Sequence, residues 1–222
     1  MVHLPFADRL EAGCLLADEL SFRKRRVNVT VLGLPRGGVP VGFAVAGRLH
    51  LPLDVVVVRK VGVPWQPELG MGAIAGPVRI LDKQLIQELG IGNEEIDLVV
   101  SREQVEIQRR EGLYRVGLPP LELQGRSAIL IDDGLAMGST MLAAVRYVRS
   151  LNPLDVTIAV PIASEHACAL LKKEADEFVC LAAPERFVAV GRWYRDFGEV
   201  SDTEVQKLLA LAKNSQYSVC AR

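Results

Sequence analysis

The stretch SAILIDDGLAMGST, residues 127–140, decides the fold. Its first five residues are small or apolar, which is typical of a strand buried on both faces of a sheet. The residues from about Ser139 to Leu151 are predicted to form a helix, and a short glycine-containing loop joins the two elements. A strand followed by a loop and a helix is the repeating unit of a parallel α/β sheet.

Further strands and helices alternate on both sides of this unit. The predicted strands are Val29–Leu32, Asp54–Val58, Asp155–Val160 and Glu177–Leu181, and the predicted helices include Val39–Leu49 and Ser164–Glu174. Right-handed crossovers between such strands place helices on both faces of the sheet. The expected fold class is therefore α/β, with a doubly wound parallel sheet.

Two stretches interrupt the alternation. Residues 82–115 are helical and charged, and residues 187–217 carry Trp193 and Tyr194 before a last helix from about Asp202. Neither has enough apolar periodicity for a core of its own. We expect a single domain, 1–222, with a core at roughly 27–81 and 125–183 and a helical or irregular hood at roughly 82–118 and 184–222.

The composition excludes several classes of protein. The chain has 222 residues, of which 50% are hydrophobic, and a formal net charge of -1. This apolar content excludes intrinsic disorder, and a neutral balance disfavours a non-specific nucleic-acid binder. The cysteines and histidines are too scattered for a zinc site. Charged residues interrupt the first twenty positions, which argues against a signal peptide. No apolar run approaches the ~20 residues that a membrane span needs. We expect a soluble cytoplasmic protein with no nucleic-acid or membrane partner.

The loop after the strand at 127–131 carries the strongest chemical signal. Gly138, Ser139 and Thr140 leave backbone N–H groups accessible at a helix N-terminus, where a phosphate can bind. Asp132 and Asp133 are acceptors suited to a vicinal diol or to a divalent cation beside a phosphate. Together these groups fit a ribose 5-phosphate. The alternative is a helix capped by Ser139 after a solvated acidic turn.

Two other loops carry cations. Arg36 stands beside Gly37 and Gly38 after the first core strand, where an anion could approach the backbone closely. Arg59 and Lys60 begin a long stretch interrupted by glycine and proline that ends at residue 72, which predicts an irregular lid. The alternative for each loop is an ordinary surface connection.

These residues carry a resemblance to a known family. The segment Ile129–Thr140 resembles the phosphoribosyl-pyrophosphate signature of the type I phosphoribosyltransferases. The whole chain is similar to a bacterial subfamily of that family whose acceptor is unassigned. The matching stretches are Phe6–Arg9, Leu34–Gly38, Val58–Lys60, Pro67–Glu68, Gly72–Ala75 and Trp193–Tyr194.

The resemblance implies a parallel-sheet core with a hood, and a Mg²⁺-assisted transfer of phosphoribose that releases pyrophosphate. It implies that Asp132 and Asp133 hold the ribose hydroxyls, with Mg²⁺ bound through the donor. It assigns the 5-phosphate to Ala136, Met137, Gly138, Ser139 and Thr140, and the pyrophosphate to Arg36, Gly37, Gly38, Arg59 and Lys60. It also implies a non-proline cis peptide in the loop of Arg36, and a homodimer.

The acceptor is less well defined. Glu68 is a candidate acid/base, and Trp193, Tyr194 and Phe197 could stack a flat ring, or else pack in the core of the hood. Met137 stands where the family usually has threonine, which removes one hydroxyl contact to phosphate. Ala136 stands where 6-oxopurine enzymes carry a base-contacting aspartate, which argues against that acceptor. A non-catalytic regulator that binds the donor or a nucleotide, and a module whose site has decayed, remain alternatives to the enzyme.

Overall fold

The computed structural model describes residues 3–21 and 28–213, and these form two sheets and seven helices. The strands are β1 (Val29–Gly33), β2 (Leu53–Val55), β3 (Val58–Val63), β4 (Gln66–Ala75), β5 (Val78–Leu81), β6 (Ser127–Ile131), β7 (Asp155–Ile162) and β8 (Glu177–Ala182). The helices are α1 (Arg9–Glu19), α2 (Gly38–Leu49), α3 (Lys83–Leu89), α4 (Asn93–Tyr114), α5 (Ser139–Ser150), α6 (Glu165–Leu171) and α7 (Asp202–Lys213).

The larger sheet is parallel throughout, with strand order β2-β1-β6-β7-β8. The chain builds outward from β1 in one direction to β2, and from β6 in the other direction to β7 and β8. The predicted doubly wound α/β fold is therefore confirmed. The order reverses between β1 and β6, and ligands of open parallel sheets bind at such a switch point, outside the carboxyl ends of the strands.

Strand β6 shows how both faces of this sheet are covered. Ala128 and Leu130 pack in a buried cluster with α5 and α6. Ile129 and Ile131 point the other way, into a cluster with α1 and α2. Because every residue of β6 is buried, the strand needs apolar side chains at successive positions rather than at alternate ones.

We call the smaller sheet the hood sheet, because it packs against helices of the two interrupting stretches. Strands β3, β4 and β5 are antiparallel neighbours in that order. Their apolar face packs with α4 and α7 in a second cluster that includes Met71, Ile74, Val100, Ile107 and Leu209. The two interrupting stretches of the sequence thus share one core. The division into core and hood stays a prediction, and residues 214–222 of the expected hood lie outside the described residues.

Two local predictions are wrong. The apolar run Asp54–Val58 is not one strand, because β2 ends at Val55 and β3 begins at Val58. The intervening Val56 and Val57 are buried in the core cluster and the hood cluster respectively, which explains their apolar character without a ladder. Residues 58–81, which we expected in the core, lie in β3, β4 and β5 of the smaller sheet, and their assignment to core or hood stays a prediction.

The stretch from Arg59 to residue 72 is a regular hairpin rather than an irregular lid. Strands β3 and β4 pair across it, and their register shifts on either side of Gly62. A Cβ atom at Gly62 would lie 2.3 Å from the carbonyl oxygen of Pro67. Glycine is therefore needed here for a β-bulge, and it does not mark the end of a strand.

None of the helices in residues 3–21 and 28–213 combines the length and the apolar character needed to cross a membrane.

Helix α1 packs unusually closely on α2. A Cβ atom at Gly13 would lie 2.6 Å from the carbonyl oxygen of Val41 and 2.7 Å from the Cβ of Ala44. Such distances leave no room for a methyl group. Gly13 therefore allows α1 to pack closely on α2. This packing helps to fix the position of Arg9 at the start of α1.

Replacing this glycine tests the packing. We expect Gly13→Ala to lower the free energy of unfolding by about 1–3 kcal/mol, since overpacking forces backbone shifts. Gly112 is the matched control, because it lies in α4 with nothing within 4 Å of its Cβ position. Gly112→Ala should stabilise by roughly 0.5–1 kcal/mol through helix propensity. Equal effects of the two substitutions in urea unfolding would refute the close contact.

Candidate functional site

Two loops meet at the switch point. Gly33, the last residue of β1, pairs with Ile131, the last residue of β6. The N–H of Leu34 donates to the carbonyl of Ile131 at 2.8 Å, and a Cβ atom at Gly38 would lie 2.5 Å from that same oxygen. The backbone of the loop at 34–38 therefore lies directly against the loop that begins at Asp132.

The loop at 134–138 leads into α5 without a side-chain cap. The N-cap residue is Gly138, whose φ of +84° lies in the region that favours glycine, and no side chain caps the helix. The alternative in which Ser139 is the cap is wrong, because Ser139 is the first residue of the helix. The first N–H groups of α5 are thus left without a capping side chain, as an anion site requires.

Strand β7 supports this loop from the other side. The N–H of Leu135 donates to the carbonyl of Ile162 at 2.9 Å, and the N–H of Ser164 returns a bond to Leu135 at 2.9 Å. The hydroxyl of Ser164 donates to the carbonyl of Ala136 at 2.6 Å, while its oxygen caps α6. Sequence reasoning missed Ser164, and its only signal was its place at the start of a predicted helix.

The two carboxylates of the site are held differently. Asp132 accepts a hydrogen bond from the backbone N–H of Asp133 at 2.9 Å. Asp133 forms an ion pair with Arg9, with 2.8 Å between Oδ2 and Nε, and the Tyr194 hydroxyl donates to its backbone carbonyl at 2.6 Å. Gly37 faces the same carboxylate, because a Cβ there would lie 2.0 Å from Oδ2.

Burial dominates the electrostatics of this pair. Desolvation, and then the neighbouring charge of Asp133, raise the pKa of Asp132 well above its usual value. Desolvation also raises the pKa of Asp133, although the guanidinium of Arg9 opposes this shift. Burial thus disfavours the charged form of each carboxyl group, and Arg9 offsets part of this effect at Asp133.

The cationic residues of the predicted site already have partners. The cis peptide expected in the Arg36 loop is present, between Pro35 and Arg36. The Arg36 guanidinium forms an ion pair with Glu199 and lies 3.9 Å from Asp202. Arg59 is paired with Glu103 of α4 at 2.6 Å.

A cavity lies between the loop at 134–140 and the hood sheet. It measures about 720 Å³ and is lined by Lys60, Glu68, Leu69, Gly70, Gly72, Ile80, Leu81, Asp82, Gly134, Leu135, Ala136, Met137, Gly138, Ser139, Thr140, His166, Leu170 and Val190. The Lys60 ammonium donates to the backbone carbonyl of Glu68 at its edge. Met137 is 67% exposed, so its side chain does not seal the cavity. The lining includes neither Asp132 nor Asp133.

The aromatic residues predicted for the acceptor pocket lie elsewhere. Tyr194 is buried, with its ring 5.3 Å from that of Phe6 and 5.0 Å from that of Phe197. Trp193 packs against the same cluster, and none of the three lines the 720 Å³ cavity. This placement supports the alternative in which they form core packing.

The donor set of the site fits only a metal ion that arrives with a ligand. No group of three or more histidine, cysteine, aspartate or glutamate residues within 3–21 and 28–213 could hold a metal. Asp132 and Asp133 supply two carboxylates, and one oxygen of Asp133 is already paired with Arg9. Mg²⁺ is commonly bound by one or two carboxylates together with water and substrate phosphates, which is what this pair can offer.

The raised pKa of Asp132 predicts that this carboxyl group lowers the free energy of unfolding more as the pH rises. Between the unfolded value near 3.8 and the higher native value, the native state holds a proton that the unfolded state has lost, so stability falls as pH rises. Asp132→Asn removes this cost. We expect its melting temperature to match the wild type near pH 4 and to exceed it by several degrees near pH 8. A constant difference across this range, measured by calorimetry, would exclude a buried acidic pair.

Comparison with known proteins agrees with this geometry. Residues 10–195 match the family model described as the phosphoribosyl transferase domain. Two proteins of Mycobacterium tuberculosis, from strains CDC 1551 and H37Rv, bear the name "Putative phosphoribosyl transferase"; each is 45% identical over 205 residues, which cover 92% of this chain and 46% of theirs. The chain thus spans about half the length of these curated relatives.

A solved structure is similar over nearly the whole chain. The crystal structure of TT1426 from Thermus thermophilus is 41% identical, covers 93% of this chain and 98% of its own, and superposes with a TM-score of 0.77. With the family model matching residues 10–195, the chain belongs to the type I phosphoribosyltransferase family.

Proposed function

We propose that the protein transfers 5-phosphoribose from phosphoribosyl pyrophosphate to a nitrogenous, nucleobase-like acceptor and releases pyrophosphate. The observation that carries the proposal is the path of the chain from Ile131 to Ser139. Two carboxylates follow β6 directly, and a loop with Gly138 at positive φ leads into a helix without a capping side chain. A sugar phosphate has the matching pattern, with a diol at one end and an anion at the other.

We assign the 5-phosphate of the donor to the loop at 136–140. The first amides of α5 and the hydroxyls of Ser139 and Thr140 supply hydrogen-bond donors, and the helix dipole favours an anion there. Ser164 holds the carbonyl of Ala136 and so fixes the loop. Met137 contributes no hydroxyl, so the backbone amides and the hydroxyls of Ser139 and Thr140 carry the binding.

We assign the ribose hydroxyls of the donor to Asp132 and Asp133, which form the sugar end of the site. Ionised, both accept hydrogen bonds from the ribose hydroxyls, which replace the water that burial removes. In the transition state the ribose gains positive charge. Fixed carboxylates beside it then stabilise the transition state more than the ground state, which is the requirement for catalysis.

We assign the pyrophosphate group of the donor to the other end of the site, formed by Arg36, Gly37, Gly38 and Lys60. The backbone at the two glycines allows close approach, and the two cations stabilise charge that grows on the leaving group. Arg59 stays a prediction, since its guanidinium pairs with Glu103 on the α4 side of the hood. Mg²⁺ bound with the donor, beside Asp132 and Asp133, would neutralise part of the leaving-group charge.

The acceptor is proposed to enter the 720 Å³ cavity beneath the hood sheet. Glu68 lines this cavity and remains our candidate acid/base for the acceptor nitrogen. The lining is mainly aliphatic and includes Leu69, Ile80 and Leu170, so apolar side chains would flank a flat ring. We leave the aromatic residues of the tail out of this pocket.

A second candidate is a regulator that binds the donor or a nucleotide without transferring it. The pairing of Arg36 with Glu199, and of Arg59 with Glu103, favours this candidate, because cations that would serve the leaving group are engaged by carboxylates. The two candidates share the sugar-phosphate site and differ only in turnover.

The wider setting belongs to the same proposal. A cytoplasmic place in nucleotide metabolism fits the substrates named above. A homodimer is supported by exposed apolar residues on α4, among them Leu98 and Val105, which are 61% and 66% exposed.

Calorimetric titration with phosphoribosyl pyrophosphate and Mg²⁺ tests the site. We expect binding by the wild type and a loss of at least tenfold in affinity for Asp132→Asn, since a carboxylate that accepts a diol is worth about 1.5–3 kcal/mol. Asp196→Asn is the control, because Asp196 is exposed and lies outside the loop at 132–140. Absence of heat with the wild type would refute donor binding. Pyrophosphate release across a panel of nucleobases then separates the enzyme from the regulator.

Releasing Arg36 from its carboxylate should strengthen pyrophosphate binding. We expect Glu199→Gln to raise the affinity for free pyrophosphate by up to about fivefold, the equivalent of a partly exposed ion pair worth up to about 1 kcal/mol. Glu204→Gln makes the same change of charge on α7, at an exposed position, and should have a smaller effect. An equal response of the two variants would mean that long-range charge, and not the contact with Arg36, is responsible.

A further inference from the structure

Arg9 lies at a position that helix stability does not explain. It is the first residue of α1, where a cation opposes the helix dipole, and Asp8 already caps the helix by accepting from the N–H of Glu11 at 2.8 Å. Its side chain is only 12% exposed, which costs solvation that a surface arginine keeps. Because the helix dipole and the loss of solvation both disfavour an arginine here, its contacts must stabilise it.

Those contacts fix the guanidinium from three directions. Nε donates to Asp133 Oδ2 at 2.8 Å, and Nη1 donates to the carbonyl of Gly198 at 2.8 Å. The guanidinium carbon lies 3.8 Å from the centre of the Phe197 ring, within the range of a cation–π contact. The planar fork of arginine can satisfy these partners together, whereas a single ammonium cannot reach them all.

The same contacts leave Asp133 little freedom. Its carboxylate lies between Arg9 and the backbone of Gly37, and its own carbonyl accepts from Tyr194. Segments from both ends of the chain thus converge on one carboxylate. Phe6 strengthens this junction, because its N–H donates to the carbonyl of Trp193 and its carbonyl accepts from the N–H of Arg195, both at 2.8 Å.

We infer that Arg9 is a positioning residue for the sugar end of the site: it holds the Asp133 carboxylate in the orientation that receives the ribose diol. The inference rests on the proposed function, since it assigns Arg9 a role in that same site. Arg9 acts through Asp133 and not on the pyrophosphate end, where Arg36 and Lys60 lie. Its loss should therefore weaken binding of the sugar and spare binding of pyrophosphate.

The experiment compares two probes on matched variants. Ribose 5-phosphate reports on the sugar end, and inorganic pyrophosphate reports on the cationic end. We expect Arg9→Met to weaken ribose 5-phosphate by about 10- to 100-fold, the usual cost of removing a residue that orients a site ligand, and to leave pyrophosphate within about twofold.

Arg115→Met is the matched control. Arg115 pairs with Asp54 through two bonds of 2.9 and 3.0 Å, and both side chains are 17% exposed, so a similarly buried ion pair is lost between the end of α4 and β2, which hold none of the proposed sugar-site residues. This variant should lose comparable stability while keeping its affinity for both probes. Equal weakening of ribose 5-phosphate by the two variants would overturn the inference, because the effect would then follow stability alone.

Arg9→Lys keeps the test valid if Arg9→Met fails to fold. Lysine retains the charge but cannot bridge Asp133 and the Gly198 carbonyl in one plane. We expect an affinity for ribose 5-phosphate between those of the wild type and the methionine variant, and a wild-type affinity would overturn the inference. Failure of the wild type to bind ribose 5-phosphate or phosphoribosyl pyrophosphate would instead overturn the proposed function, and the role of Arg9 with it.

Discussion

The ion pair between Arg9 and Asp133 joins the start of α1 to the loop that follows β6, and the sugar site that we propose depends on it. Two adjacent carboxylates at the end of a buried strand repel each other and lose solvation. Among the described residues, Arg9 is the one cation in an ion pair with either of them. The absence of side chains at Gly37 and Gly38 lets the neighbouring loop close against this pair. Within the described residues, this pair of carboxylates is therefore only partly compensated, by the N–H of Asp133 and by Arg9.

The cations of the proposed pyrophosphate site also have partners within the protein. Arg36 pairs with Glu199, Arg59 pairs with Glu103, and the Lys60 ammonium donates to a backbone carbonyl. A pyrophosphate would exchange one anionic partner for another at Arg36, so the net gain in free energy is smaller than that of a new charge-assisted hydrogen bond. Under the function that we propose, this exchange would give modest affinity for pyrophosphate and ready release of it. Both carboxylates near Arg36 lie at the start of α7, since Glu199 precedes this helix and Asp202 is its first residue.

Local sequence was sufficient for the parts of the fold that depend on neighbours in the chain. The strand at 127–131, the loop at 134–138 and helix α5 were predicted almost to the residue, because apolar runs, glycine and a helix period act over a few positions. The β3–β4 hairpin was not, because glycine and proline there serve a bulge whose partner strand had to be known first. The split of Asp54–Val58 between two clusters likewise depends on the tertiary packing of the hood.

The partners of the site residues could not be predicted for the same reason. Arg9 is separated from Asp133 by 124 positions, and Arg36 is separated from Glu199 by 163. No periodicity connects residues so far apart. The composition of the cavity and the exposure of Met137 also follow from the folded chain alone. The sequence carried the chemical groups of the site, and the fold determines which of them remain available to a ligand.

A crystal structure with ribose 5-phosphate tests the central claim most directly. We expect its phosphate to lie on the amides of residues 137–140 at the start of α5, and its ribose hydroxyls to lie within hydrogen-bond distance of Asp132 and Asp133. A sugar phosphate bound with the opposite polarity, or bound away from this loop while the loop stays empty, would contradict that claim.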